Sequence, residues 1–165
     1  MSLNRRRHER ESCKTSITYS EYRETDYYEA TMYDKSVGGV SLETGTELQT
    51  GWPVSILMPP ARTDGAEVTR TYEAYVARVK WCRPNGLENH YKMGAQLLFQ
   101  GYMRNSEEAN KASGACELCE NKLFGEVYLT DEPLNLCLSC FKYLGGVLEG
   151  STRESVIRFL IGNVV

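Results

Sequence analysis

This 165-residue sequence predicts a mainly β protein: six short antiparallel strands closing into a barrel, followed by a small cysteine-bearing α+β unit. Three observations carry that expectation. Through much of residues 12–99 apolar and polar residues alternate with a period of two, the pattern of strands with one buried and one solvated face. Asp-Gly and Asn-Gly stand between strand-like runs, in "PPARTDGAE" and "RPNGLEN", which is hairpin chemistry. Four of the six cysteines fall in two Cys-x-x-Cys pairs near the C-terminus.

Taken in order, "SITYS" puts Ile17 and Tyr19 on one face, and "YYEATMYD" does the same for Tyr28, Ala30 and Met32. "GVSLET" offers Val40 and Leu42, and "PVSILM" is a short run with the look of a strand buried on both sides. "YVARVKW" sets Tyr75, Ala77, Val79 and Trp81 against Val76, Arg78 and Lys80. "YKMGAQLLF" alternates Tyr91, Met93, Ala95, Leu97 and Phe99 with mostly polar neighbours. Six strands without an intervening helix suit a small barrel or sandwich, and closure removes the edges of an open sheet. Residues 101–115 read as a polar linker, partly helical from Ser106, with Glu107 and Glu108 in a first turn. Ser151 and Glu154 stand at capping-box spacing ahead of a short helix whose buried face is Val156, Ile157 and Leu160. The organisation is thus a barrel over 5–100, a linker over 101–115 and a cysteine unit over 116–165.

Composition narrows the function. The apolar fraction is 41% and the charged fraction 25%, as in ordinary globular proteins. No apolar run is long enough to cross a bilayer. The charged start, "MSLNRRRHERES", lacks the apolar stretch of a secretory signal, so the expectation is a cytoplasmic protein. A net charge of −3 gives no general basic footprint for nucleic acid. There is no Gly-x-Ser-x-Gly, P-loop or paired catalytic carboxylate, and neither His8 nor His90 has an acid–nucleophile pattern beside it, so an enzyme is disfavoured.

Two segments stand out. "NRRRHERE" places Arg5, Arg6, Arg7 and Arg10 within six positions. Such a run serves as a solvated tail, a nucleic-acid arm or a ligand arm; Glu9 and Glu11 count against the second by repelling phosphate. "YDKSVGGVSLET" holds Asp34, Ser36, Gly38 and Gly39. As a plain turn, Asp34 and Ser36 bond to local backbone, and Gly38 or Gly39 supplies a positive φ. Together with the arm it offers what a guanine nucleotide needs. Guanidinium groups grip phosphate and the O6/N7 edge of guanine, a carboxylate accepts from N1–H and N2–H, and glycine lets backbone come close.

Residues 5–99 resemble the PilZ domain, the bacterial receptor module for cyclic di-GMP. The resemblance rests on R-x-x-x-R, here Arg6-Arg7-His8-Glu9-Arg10, and on [D/N]-x-S-x-x-G, here Asp34-Lys35-Ser36-Val37-Gly38-Gly39, in that order and about two strands apart. It is also carried by the closing strand "YKMGAQLLF". It implies a six-stranded barrel that binds cyclic di-GMP reversibly. Arg6 and Arg10 would hold phosphate and guanine, Asp34 would read the guanine edge, and Ser36 would add a polar contact. Gly38 and Gly39 would let the backbone approach. Arg5, just before the motif, is similar to an arginine that in the family accompanies capture of a stacked ligand dimer. The arm would close over the ligand and present a new surface to a protein partner.

"CELCENKLFGEVYLTDEPLNLCLSC" is C-x2-C-x17-C-x2-C, so Cys116, Cys119, Cys137 and Cys140 read as ligands of a tetrahedral structural zinc. A knuckle, a hairpin and a second knuckle opening a helix that ends at Gly145-Gly146 resemble the treble-clef zinc fold. A redox dithiol fits this spacing poorly. The spacing equals that of GATA-type DNA fingers, but Glu117, Glu120, Glu126, Asp131 and Glu132 face only Lys122 and Lys142, the wrong sign for phosphate. The expectation is therefore a structural or protein-interaction finger, with Cys13 and Cys82 as plain strand residues. The alternative from another class is a ligand-independent scaffold whose barrel motif serves structure only; DNA binding through the finger is a third.

Overall fold

The computed structural model describes residues 9–59, 71–105, 112–132 and 134–162. The barrel is built from β1 (Glu11–Glu21), β2 (Tyr28–Lys35), β3 (Gly39–Thr44), β4 (Pro53–Met58), β5 (Thr71–Pro84) and β6 (Tyr91–Asn105). Every pairing is antiparallel, in the order β6-β3-β2-β1-β4-β5, and β5 pairs back with β6 to close the ring. After it come β7 (Ala112–Ala115), β8 (Lys122–Phe124), β9 (Glu126–Leu129), β10 (Asn135–Leu136), α1 (Leu138–Gly146) and α2 (Gly150–Leu160). This is the mainly β architecture expected, a closed six-strand barrel with a small α+β unit.

The period-two alternation fills most of the barrel as predicted, but Tyr28 and Trp81 are exposed and Phe99 packs against the outer core, the β5–β6 pairing being shifted at Val76/Ala77 and Val79/Trp81. Ile17, Tyr19, Ala30, Met32, Val40, Leu42, Tyr75, Ala77, Val79, Met93 and Ala95 form one buried cluster with Val54, Ile56 and Met58 of β4. All six residues of β4 are buried, because the strand is covered on both sides. Its outward Leu57 joins Ala74 and Val76 of β5 and Met103 of β6 in a second core, beneath Tyr128, Phe141 and Leu144 of the C-terminal unit. The cysteine unit therefore lacks a core of its own and completes one on the outside of the barrel.

Several details differ from the sequence reading. In its described parts, 101–115 is strand: β6 runs on to Asn105, and Ala112–Ala115 is β7. The reason is pairing: Tyr102–Asn105 lie beside Leu129–Glu126 of β9, so tertiary hydrogen bonds override a polar composition. The helix start expected at Ser106 lies outside the described residues, as does most of "PPARTDGAE". Asn85-Gly86 does lie in the hairpin expected there, in the six-residue loop that joins β5 to β6, with Asn85 N–H donating to the His90 carbonyl over 2.8 Å. Helix α2 is capped by backbone at Glu149 with no side-chain bond, so the Ser151/Glu154 capping box does not form. Val156, Ile157 and Leu160 are half-buried against the second core, as expected.

Gly145 and Gly146 lie within α1, and the helix is capped by Val147 in right-handed backbone. They are not a left-handed stop. A Cβ on Gly145 would meet Val76 and Phe99 at 2.7–2.8 Å, and one on Gly146 would meet Pro53 at 2.5 Å. The pair lets the helix sit directly on the barrel wall. Arg153 of α2 then donates to the carbonyls of Leu144 (3.0 Å) and Gly145 (2.8 Å), and Arg78 donates to that of Gly146 (3.1 Å). These satisfy the carbonyls a helix end leaves free. Lys142 of α1 is fully buried, and its ammonium donates to Ser20 Oγ and to the carbonyls of Glu21, the last residue of β1, and of Glu24 in the turn beyond it.

Candidate functional site

β6 has a different neighbour at each end. Residues 91–96 pair with β3 and residues 102–105 with β9, both on the edge away from β5. Between them, residues 97–101 pair with no described strand on that edge. A register shift between Val76 and Ala77 of β5 leaves Leu98 unpaired as a bulge. The gap opens into a cleft of about 900 Å³, walled by Leu97–Gln100 and Tyr75 on one side and by Glu9–Glu11 and Lys35–Val37 on the other. It joins the start of β1, the β2–β3 turn and the broken edge of β6.

The turn is closed on itself. Ser36 N–H donates to the Gly39 carbonyl over 2.8 Å, its hydroxyl reaches the same oxygen at 3.4 Å, and Leu97 N–H donates to the Gly38 carbonyl over 3.1 Å. Neither Gly38 nor Gly39 has a positive φ, so the conformational reason expected for a glycine here is not the operative one. Gly39 is required by crowding instead: a Cβ would stand 2.8 Å from the Ala95 carbonyl oxygen. Val37, at the tip, is almost wholly exposed.

Antiparallel pairing of β1 with β2 sets Ser12 opposite Asp34. That brings Arg10, two residues before Ser12, back to the turn. Its Nη1 lies 2.9 Å from Asp34 Oδ1, with both side chains about one-third exposed. Arg10, which lines the cleft, is thus paired with a short carboxylate outside the cleft lining, and its guanidinium has further donors in its planar fork. Of the residues singled out by sequence, Arg10, Asp34, Ser36, Gly38 and Gly39 come together here. Arg5 and Arg6 lie outside the described residues.

Sequence reasoning missed Lys35 and Tyr75. The Lys35 ammonium is 2.7 Å from the Tyr75 hydroxyl and 4.5 Å from its ring centroid, and 3.8 Å from Glu73 Oε2. Tyr75 reads in sequence as an ordinary core strand residue; only barrel closure sets it across from Lys35. The sole available signal was a cation inside the Asp34–Ser36 segment.

A second cluster lies in the C-terminal unit. The sulfurs of Cys116, Cys119, Cys137 and Cys140 all lie within 4.8 Å of one another. Cys119 and Cys137 Sγ are 3.9 Å apart, far beyond a disulfide and close to the ~3.8 Å edge of a tetrahedron of sulfurs ~2.3 Å from a zinc ion. Cys116 begins a tight turn, Glu120 N–H donating to its carbonyl over 2.8 Å. Cys137 is the N-cap of α1 and accepts from Cys140 N–H at 3.5 Å. Burial pushes the Cys116 thiol up, but backbone donors at Cys119, Cys137 and Leu118 outweigh it and hold the group at about 7. Burial pushes the Cys137 and Cys140 thiols up. Four thiol sulfurs gathered this closely are a donor set suited to a thiophilic dication, which displaces their protons on binding. The four cysteines thus fit a bound metal ion. β9 and β10 supply the hairpin between the knuckles, and α1 opens on the second, in the treble-clef order.

The PilZ domain family matches residues 4–104. Among solved structures, the chain is similar to the Bacillus subtilis inhibitor of motility, MotI/DgrA, at 14% identity and a TM-score of 0.45, covering 58% of this chain and 43% of that one. The chain thus spans less than half the length of that protein. No curated protein matches it.

Proposed function

Because this chain belongs to the PilZ domain family, matched over residues 4–104, we propose that it is a bacterial, cytoplasmic receptor for cyclic di-GMP that signals to a protein partner. The observation that carries this reading is the Arg10–Asp34 pair at 2.9 Å, whose guanidinium lines a cleft that Ser36 and Val37 of the turn also line. Asp34 accepts from the guanine N1–H and N2–H edge. Arg10 turns its free donors to phosphate or to the guanine O6/N7 edge, joined by Arg5 and Arg6 from the arm. Ser36, Gly38 and Gly39 hold the turn in shape and keep backbone within reach. No reaction is assigned to the site; its work is recognition.

The cysteine cluster holds one structural zinc, which fixes the knuckles and the start of α1. Among the described residues no helix is long and apolar enough to cross a membrane. The ligand cleft and the C-terminal unit share a wall. Arg153 Nη1 donates to the carbonyl of bulged Leu98 over 3.1 Å, and its guanidinium lies 5.2 Å from the Phe99 ring centroid. Ligand held in the cleft is felt at α2 through this contact, and the protein partner reads that change.

Titration calorimetry with cyclic di-GMP tests the reading. Each of R6A, R10A and D34A is expected to weaken binding ~10- to 100-fold, the worth of one charge-assisted hydrogen bond. An unresponsive wild-type protein at ligand concentrations far above micromolar would instead favour a scaffold in which Arg10–Asp34 is only a structural lock. Strongly salt-dependent retention on DNA would point to the finger as a nucleic-acid reader.

A further inference from the structure

Of the described residues lining the cleft, only Arg10 and Lys35 are cationic, and Glu9 and Glu11 line it as well. Those four formal charges cancel, yet a cyclic dinucleotide brings two phosphodiester charges. Arg10 is already engaged by Asp34. Asp34 and Lys35 are consecutive in a strand, so they depart to opposite sides. Asp34 meets Arg10, while Lys35 crosses the barrel mouth to Tyr75. The two cations of the cleft therefore differ: the Arg10 guanidinium is tied to the Asp34 carboxylate, which lies outside the cleft lining, while the Lys35 ammonium rests on the Tyr75 phenol, which also donates to Glu73 Oε2 over 3.0 Å.

The hold on Lys35 is weak where its charge is concerned. Its acidic partner Glu73 is 3.8 Å away, and the two side chains are 31% and 47% exposed, a geometry in which ion pairs add little. The Tyr75 hydroxyl, by contrast, sits 2.7 Å away on a ring that is 5% exposed, a fixed post against which the ammonium rests with other donors to spare.

We propose that Lys35 is a phosphate-binding residue of this cleft, exchanging Glu73 for a phosphodiester oxygen of the ligand while the Tyr75 hydroxyl keeps it in place. This rests on the receptor reading above and assigns the charge recognition to a residue outside the arginine arm. Its test is cyclic di-GMP titration of the full chain as wild type, K35M and K35R, at low and at physiological salt. K35M is expected to bind ~10-fold more weakly or worse, with a shallower salt dependence, and K35R to recover most of the loss. A wild-type chain that binds while K35M binds equally well, or while K35R is as weak as K35M, overturns the Lys35 assignment and leaves the cleft reading standing. A wild-type chain that does not bind overturns both. Should K35M fail to fold by thermal melting, E73Q carries the test: releasing the ammonium is expected to tighten binding a few-fold, and unchanged or weaker binding overturns the assignment.

Discussion

Phe141→Ala is the most informative perturbation of the fold, because Phe141 belongs to the cysteine unit by sequence and to the barrel by packing. Its side chain is fully buried. Its ring centroid lies 5.1 Å from that of Tyr128 and 5.6 Å from that of Phe99, and its edge sits where a Cβ on Gly101 would touch it at 2.8 Å. Truncating a buried phenylalanine costs about 3–5 kcal/mol through lost transfer energy and an unfilled cavity. Two aromatic pairs, each contributing about 0.5–1.5 kcal/mol, place this site at the upper end. The assay is urea unfolding of the zinc-loaded protein followed by tryptophan fluorescence. Both tryptophans, Trp52 and Trp81, lie in the barrel, so the signal reports the barrel while the mutation lies in the appended unit. With an m-value of about 2 kcal/mol per M, a loss of about 5 kcal/mol moves the midpoint down by about 2.5 M. If the tryptophan midpoint stays where it is in the wild type, the barrel folds independently and the shared-core argument is wrong.

Three further outcomes are expected. Metal analysis should find about one zinc per chain, and chelation should lower the same tryptophan transition, since α1 begins at two of the ligands; a metal-free chain with an unchanged melt contradicts this. Glu120 holds a left-handed backbone at φ 64° in the first knuckle, a conformation that disfavours side chains by about 1–2 kcal/mol, so Glu120→Gly should raise the melting midpoint; a drop would count against that strain. Burial pushes the Lys142 ammonium down to about 8 from an ordinary 10.5, against the pull of Glu24 and Glu21. The unfolded chain then holds this proton between about pH 8 and 10.5 when the folded chain does not, so the group's contribution to stability rises with pH across that window and is flat below it. The urea-midpoint difference between wild type and K142M should grow in the wild type's favour from about pH 8 toward 10; a difference that stays level refutes the depressed ammonium.

Much of the barrel was legible because a half-buried strand writes its two faces into alternate residues. Ile17/Tyr19, Ala30/Met32 and Val40/Leu42 point inward as the alternation requires. The continuous run "PVSILM" signalled cover on both sides, although nothing in it said that α1 would be the second cover. The cysteine quartet was legible because ligand spacing is local and chemically specific. The polar stretch at 101–105 misled, since strand formation there comes from pairing with β9 rather than from its own residues. Gly145-Gly146 does end α1 as the sequence suggested, but close approach to the barrel wall, not a left-handed cap, is what requires glycine there, and sequence does not separate the two.

The candidate site divides along the same line. Sequence alone determined which side chains were available: an arginine arm, a carboxylate and hydroxyl turn, and four thiols at finger spacing. Tertiary structure decided that Arg10 meets Asp34, that β6 loses its neighbour over 97–101 to open a cleft, and that Lys35 reaches Tyr75 forty residues away. Strand alternation and metal-ligand spacing are properties of neighbouring residues and survive in one dimension. A cleft left by the switch of a strand from one partner to another exists only once the sheet has closed.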